Sequence, residues 1–106
     1  MIILEVKGDR GAEFSGDCSL QRGRGPEKRY RISGRVPAKY WLPAGVVRCS
    51  LEKANLNSRL LAILSKDGEV LLRQKGAPPL RWISVFSGSD KAKARGAASG
   101  ARPLWQ

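Results

Sequence analysis

Basic side chains are concentrated in one short part of the sequence, and groups of this charge bind anions. The chain has 106 residues with 20 Lys+Arg against 9 Asp+Glu, which gives a net charge of +11. We call seven of the basic residues, all between positions 21 and 39, the basic strip: Arg22, Arg24, Lys28, Arg29, Arg31, Arg35 and Lys39. The strip predicts a surface for nucleic acid, an anionic membrane or an acidic protein. A solvated loop that only keeps the protein soluble is the alternative.

Two aromatic residues follow the basic strip directly. Tyr40 and Trp41 can stack on nucleic-acid bases, and Arg29, Arg31 and Arg35 share the polar parity of one predicted strand. Residues of one parity project from one sheet face, which is a geometry that can follow a phosphate backbone. The alternative for the two rings is that they fill a corner of the core.

Catalytic and metal-binding chemistry lack their usual residues. The chain has no histidine and two cysteines, which excludes Ser-His-Asp and Cys-His catalysis and leaves too few ligands for a zinc site. The carboxylates are scattered, and Asp9, Asp17 and Asp67 stand in or near turn sequences. We therefore expect no enzymatic activity, no metal and no cofactor.

Alternating apolar and polar residues indicate the elements that carry these side chains. Period-two alternation or short apolar runs between Gly, Pro and Asp turn signals predict about seven strands. They cover residues 2–7, 12–20, 29–36, 47–52, 59–65, 69–74 and 80–86. Residues 38–45 are predicted to be a crossover or a corner, and a weak short helix is expected near residues 52–58. The fold class is therefore all-β, an antiparallel immunoglobulin-like sandwich, with a small β-barrel as the alternative.

The chain divides into a domain and a tail by composition. Residues 1–87 contain all the predicted strands and form the β-sandwich domain. Residues 88–106 are mostly small, polar and basic, and they offer too little apolar area to offset the entropy of ordering. We expect residues 88–106 to be a flexible basic tail.

Two cysteines, Cys18 and Cys49, lie on the apolar parity of two alternating strands. Both side chains should point into the core, which predicts a disulfide between facing sheets; two buried free thiols are the alternative. A disulfide indicates an oxidising, extracytoplasmic compartment, and free thiols leave the protein cytoplasmic. No stretch approaches the ~20 apolar residues of a membrane helix, so membrane association would need a segment that this sequence does not contain.

Three groups of residues resemble small extracytoplasmic domains of actinobacteria, among them the mycobacterial membrane protein small (MmpS) family. They are Val6-Lys7-Gly8-Asp9-Arg10-Gly11, the pair Val36-Pro37 with Leu42-Pro43-Ala44-Gly45, and Asp67-Gly68-Glu69-Val70. The resemblance covers roughly residues 2–86. It implies an immunoglobulin-like sandwich outside the membrane, tethered by an N-terminal helix, with an accessory role beside a lipid transporter.

The expected function is therefore that of a non-enzymatic extracytoplasmic binding or accessory domain whose basic face meets an anionic surface or partner. The first alternative is a cytoplasmic nucleic-acid-binding small β-barrel that uses the basic strip together with Tyr40 and Trp41. The second is a structural or assembly subunit in which the charge serves only solubility.

Overall fold

Nine β-strands make up the fold in a computed structural model that describes residues 1–43, 45–88 and 93–102. In chain order they are β1 (Ile2–Gly8), β2 (Glu13–Gln21), β3 (Lys28–Arg35), β4 (Ala38–Leu42), β5 (Val46–Lys53), β6 (Leu60–Lys66), β7 (Glu69–Gly76), β8 (Trp82–Ser87) and β9 (Arg95–Ser99). None of the described helical turns is long and apolar enough to cross a membrane.

The strands form two antiparallel sheets that pack face to face as a sandwich. One sheet has four strands in the order β4-β1-β6-β7, and the other has five in the order β3-β2-β5-β8-β9. The predicted all-β antiparallel sandwich is confirmed. The sheets of the described chain do not close into a barrel, so the barrel alternative is wrong.

The core lies between the two sheets and is built from alternate residues of each strand. In β1 and β6, for example, the first, third and fifth residues are buried and the two between them are partly exposed. This is the pattern of a strand with one face on a core. Among the described residues, the buried apolar ones are Ile2, Leu4, Val6, Phe14, Cys18, Leu20, Val36, Leu42, Val47, Cys49, Leu51, Leu60, Ala62, Leu64, Ile83 and Val85.

The segment predicted to be a corner is a strand. β4 pairs with β1 from Ile2 opposite Leu42 to Val6 opposite Ala38. Its residues alternate in burial, since Tyr40 and Leu42 turn inward and Trp41 turns outward. Prolines on both sides of this five-residue stretch hide the alternation in the sequence. The strand pairs along only one of its edges, because it lies at the border of its sheet.

The prediction of a flexible basic tail is wrong for Arg95–Ser99. These residues form β9, which pairs with β8 at the border of the five-stranded sheet. Their small side chains are what the position requires, because a Cβ on Gly96 would stand 2.9 Å from the side-chain oxygen of Gln74 in β7. Small residues therefore allow β9 to approach the opposite sheet closely. Residues 89–92 and 103–106 of the predicted tail lie outside the described residues.

A disulfide joins Cys18 and Cys49, as predicted, but it does not connect the two sheets. The two residues are directly opposite each other on the neighbouring strands β2 and β5 of the same sheet, with Cα atoms 4.1 Å apart. Both are fully buried. Parity alone predicted that the sulfur atoms would point inward; it carried no information about which strands are neighbours.

The weak helix expected near residues 52–58 does not form. β5 continues to Lys53, and a turn follows in which Asn55 accepts hydrogen bonds from the backbone N–H groups of Asn57 and Ser58. Lys53 is fully buried beneath this turn, and its Nζ donates to the Ser58 carbonyl at 2.6 Å. Burial lowers the pKa of Lys53, and the negative charge of Asp9 opposes part of that effect.

Candidate anion-binding face

The edge strand β3 places three arginines of the basic strip on one surface. Arg29, Arg31 and Arg35 stand opposite outward-facing residues of β2 and project from the outer face of the five-stranded sheet. The structure thus brings together the three residues that strand parity groups. All three are exposed.

Each of these three arginines has an acidic neighbour. Arg31 lies 3.6 Å from Asp17 and Arg35 lies 3.1 Å from Glu13, both across the β2–β3 pairing. Arg29 lies 4.0 Å from Glu27, the one acidic residue of the sequence between positions 21 and 39. Exposed ion pairs contribute only about 0–1 kcal/mol each, so an anionic ligand can exchange with these carboxylates at low cost.

The same sheet face carries three further arginines that lie outside the basic strip. Arg48 of β5 and Arg95 of β9 approach the ring of Phe86 in β8, at 5.5 and 5.0 Å from the ring centroid. Arg102 lies 5.7 Å from the Trp82 ring and 3.8 Å from the Asp17 carboxylate. We call this surface the arginine face: Arg29, Arg31, Arg35, Arg48, Arg95 and Arg102.

Two aromatic rings lie beside three of the six guanidinium groups of the arginine face. Phe86 has one arginine from each neighbouring strand beside it, and a cation over a ring is attracted by about 0.5–1 kcal/mol at an exposed site. The border strands β3 and β9 are four strand spacings apart, which is about 19 Å. The arginine face is therefore broad, and it presents several cations at once.

The other four residues of the basic strip do not lie on the arginine face. Arg22 and Arg24 are exposed in the turn between β2 and β3, which Gly23 closes with a φ of 56°. Lys28 begins β3 on the parity that faces the other sheet. Lys39 stands opposite Glu5 on the outer face of the four-stranded sheet. The strip that is continuous in sequence is therefore not one continuous surface.

Tyr40 and Trp41 do not join the arginine face. They are consecutive on β4, so their side chains point to opposite faces of the four-stranded sheet. Tyr40 is half-buried, and its ring meets the edge of Phe14 with centroids 6.4 Å apart. Trp41 is 59% exposed. The core-filling alternative describes Tyr40, whereas stacking by Trp41 stays a prediction.

A cavity of about 710 Å³ opens between the edge strands β3 and β4, and we call it the edge groove. Its walls are mainly apolar, from Tyr30, Ile32, Tyr40, Trp41, Leu42 and Pro43. Arg31 and Lys39 supply positive charge at its rim. A smaller cavity of about 250 Å³ shares Tyr30 and Pro43 with the groove and extends toward Arg22 and Lys28.

The sequence alone could have placed one of the three additional arginines on an outer sheet face. Arg48 falls on the polar parity of a predicted strand, so the period-two rule assigns it an outer face. Arg95 and Arg102 gave no such signal, because their neighbours are small residues that match the composition of a disordered tail. Within the described ranges, no three of the His, Cys, Asp and Glu side chains are grouped as metal ligands.

Comparison of the chain with protein-family models, with curated proteins and with solved structures finds no match. The resemblance to MmpS-like domains therefore stays a prediction. The geometry and the charge of the sandwich are the basis for the functional proposal.

Proposed function

We propose that the protein is a non-enzymatic binding domain that acts outside the cytoplasm and holds an anionic surface on its arginine face. The ligand chemistry is a two-dimensional array of phosphate groups, as in anionic lipid headgroups. The single observation that supports this most strongly is the convergence of six arginines from β3, β5, β9 and the residues after β9 on one sheet face.

The shape of the arginine face favours a surface over a small anion. A small anion is held by convergent groups in a concave site, but the strands that carry these arginines extend over about 19 Å of an open sheet. Each basic residue near an anionic membrane contributes about 1 kcal/mol. Several arginines acting together therefore give useful affinity even though none of them has a deep pocket.

The disulfide supports the compartment part of the proposal. Cys18 and Cys49 form a buried cross-link, and such bonds persist mainly in oxidising compartments. An immunoglobulin-like strand arrangement and attachment to a membrane through an additional segment belong to the same proposal. An accessory role beside a lipid transporter would be consistent with it.

The test compares two double charge reversals that change the net charge equally. Arg95→Glu/Arg102→Glu alters the arginine face, and Arg73→Glu/Lys75→Glu alters exposed residues of β7 in the other sheet. Binding to vesicles of phosphatidylglycerol mixed with phosphatidylcholine is measured by sedimentation. The loss of about 2 kcal/mol predicts about thirtyfold weaker binding for the first variant. A similar loss in both variants would show that only net charge matters and would overturn the proposal.

Nucleic acid is the second candidate, because Trp82 and Phe86 place aromatic rings among the arginines. Its test is the titration of a labelled single-stranded oligonucleotide at two salt concentrations, since phosphate contacts make affinity strongly salt-dependent. Tighter binding to the oligonucleotide than to the vesicles would replace the membrane surface as the ligand. If neither probe binds at low salt, the remaining alternative is a structural subunit.

A further inference from the structure

The edge groove marks the open side of the sandwich. On the opposite side, β7 packs against β8 and β9 and closes the space between the sheets. On the groove side, β3 and β4 are the borders of different sheets, and the apolar wall between them includes Tyr30, which is 48% exposed, and Trp41. Exposed aromatic rings along a groove between two open sheet edges require an explanation beyond packing.

Strand β3 directs backbone groups that do not pair with β2 toward this groove. Opposite residues in an antiparallel ladder alternate between hydrogen-bonded pairs and closer, non-hydrogen-bonded pairs about 4.5 Å apart. Cys18 and Cys49, at 4.1 Å, are a non-hydrogen-bonded pair, so Cys18 directs its backbone N–H and C=O toward Tyr30 of β3. The alternate residues of β3, such as Arg31 and Ser33, therefore direct their N–H and C=O groups away from β2.

A side-chain contact confirms the direction of these groups. The hydroxyl of Tyr40 in β4 donates to the carbonyl oxygen of Ser33 at 3.5 Å, so that oxygen faces the groove. The free edge of β3 is thus a row of donors and acceptors that another extended chain can pair with.

The two faces of such an added strand would meet different surroundings. Side chains of one parity would lie beside the exposed guanidinium groups of Arg29, Arg31 and Arg35 on the outer face. Side chains of the other parity would enter the apolar groove beside Tyr30 and Trp41. Cross-strand pairs of opposite charge stabilise a sheet and apolar side chains fill a groove, so the edge selects alternating acidic and apolar residues.

The geometry points to β3 as the docking site for an extended segment of a partner protein in which acidic and apolar residues alternate. The segment adds a sixth strand to the five-stranded sheet and places its apolar side chains in the edge groove. This site is separate from the membrane-binding role proposed above, although Arg29, Arg31 and Arg35 border both.

A second copy of this chain does not fit the same edge. Pairing β3 with β3 would place arginine next to arginine, and like charges on neighbouring strands destabilise a sheet. The net charge of +11 adds a general repulsion between copies. An acidic segment avoids both the local repulsion between arginines and the general repulsion between two positively charged copies. Charge complementarity therefore favours a segment of a different protein.

The first experiment acts on the ligand and leaves the protein unchanged. The probe is a capped, fluorescein-labelled eight-residue peptide of alternating Glu and Val, and its matched control has four Glu followed by four Val. We expect the alternating peptide to bind at least tenfold more tightly in fluorescence anisotropy. Equal binding of the two peptides would show that charge alone attracts them and would overturn the proposal.

N-methylation of the peptide then tests the backbone pairing. Every second residue of an added strand directs its N–H toward β3, so methylating one set of alternate amides should weaken binding at least tenfold and methylating the other set should not. Sensitivity at the Glu amides indicates an antiparallel added strand, and sensitivity at the Val amides indicates a parallel one. Equal effects of the two methylation patterns would contradict strand addition.

The second experiment removes one outward N–H from the protein. Ser33→Pro deletes a donor that β2 does not use, and Ser33→Ala keeps the backbone as a matched control. We expect at least tenfold weaker peptide binding for Ser33→Pro and unchanged binding for Ser33→Ala, with both variants checked for native circular dichroism. If Ser33→Pro does not fold, the methylated peptides still decide the question.

The two proposals can fail independently. Ser33→Pro should leave vesicle binding unchanged, and Arg95→Glu should leave peptide binding within about twofold, because β9 lies about 19 Å from β3. Loss of peptide binding in the second variant as large as in Ser33→Pro would overturn the edge site. Peptide binding without vesicle binding would support the edge site and reject the membrane role.

Discussion

Replacing the buried disulfide by apolar side chains should remove a large part of the stability of the domain. The replacement Cys18→Val/Cys49→Ala keeps the fully buried site filled, so loss of packing should contribute less than about 1.5 kcal/mol. The cross-link itself closes a loop with a sequence separation of 31 residues. In the chain-entropy treatment a loop of this length restricts the unfolded chain by about 3.7 kcal/mol at 25 °C.

That magnitude is large beside the 5–15 kcal/mol that is typical of a whole domain. Urea unfolding followed by circular dichroism is the assay. For an m-value near 2 kcal/mol/M, the midpoint should fall by about 2 M. Wild-type protein that has been reduced and alkylated while unfolded is the control, and it should be destabilised at least as much as the variant.

Two results would refute this reasoning. A loss of less than about 1 kcal/mol at unchanged m-value would show that the cross-link does not restrict the unfolded chain as calculated. Two alkylatable thiols in the purified wild-type protein after unfolding without reductant, measured by mass, would show that the bond is not formed. The second result would also remove the argument for an oxidising compartment.

Two further predictions concern buried positions. Because burial lowers the pKa of Lys53, the native state releases this proton at lower pH than the unfolded state, whose value is 10.5. The free energy of unfolding should therefore rise with pH as the pH passes the lowered pKa and approaches 10.5. Lys53→Met should abolish that rise in a series of urea titrations from neutral pH to 10.5. Gly16→Ala should cost more than about 2 kcal/mol in thermal unfolding, because the new Cβ meets the backbone oxygen of Ser50. Gly34→Ala in the neighbouring strand should stay within about 1 kcal/mol, because its Cβ has 3.4 Å to the nearest atom; equal losses in the two glycine variants would contradict this.

Local sequence patterns predicted the parts of the fold that depend on local physics. The Asp67-Gly68 turn between β6 and β7 has φ values of 51° and 81°, both positive, as a two-residue hairpin of this type requires. Period-two alternation likewise located β2 and β5 and the inward direction of Cys18 and Cys49.

The arrangement of strands in the sheets could not be predicted in the same way. β1 and β2 are consecutive in the chain but lie in different sheets, so sequence neighbours do not identify sheet neighbours. This is why the disulfide was expected between sheets and is found within one. It is also why Arg48 and Arg95 reach Phe86: β5, β8 and β9 are brought together only by the sheet order.

The strip of basic residues illustrates the limit for the candidate site. Proximity in sequence grouped Lys39 with Arg31, but the turn after Arg35 moves the chain from one sheet to the other. The arginine face also includes Arg102, which belongs to a segment whose composition predicts disorder. Long-range pairing decides both outcomes, and a single sequence carries little information about it.

The position of the disulfide also has a mechanical consequence. β1 belongs to one sheet and β9, the last strand of the described residues, belongs to the other, so tension applied to the two ends of the chain acts across both sheets. The chain between Cys18 and Cys49 lies inside a covalent loop and cannot be extended by that force. At about 3.4 Å per residue, roughly 100 Å of contour length stays locked while the bond is intact. All of β3, all of β4 and the edge groove lie within that loop, so the disulfide shields them from stretching even after the strands outside the loop have been pulled away.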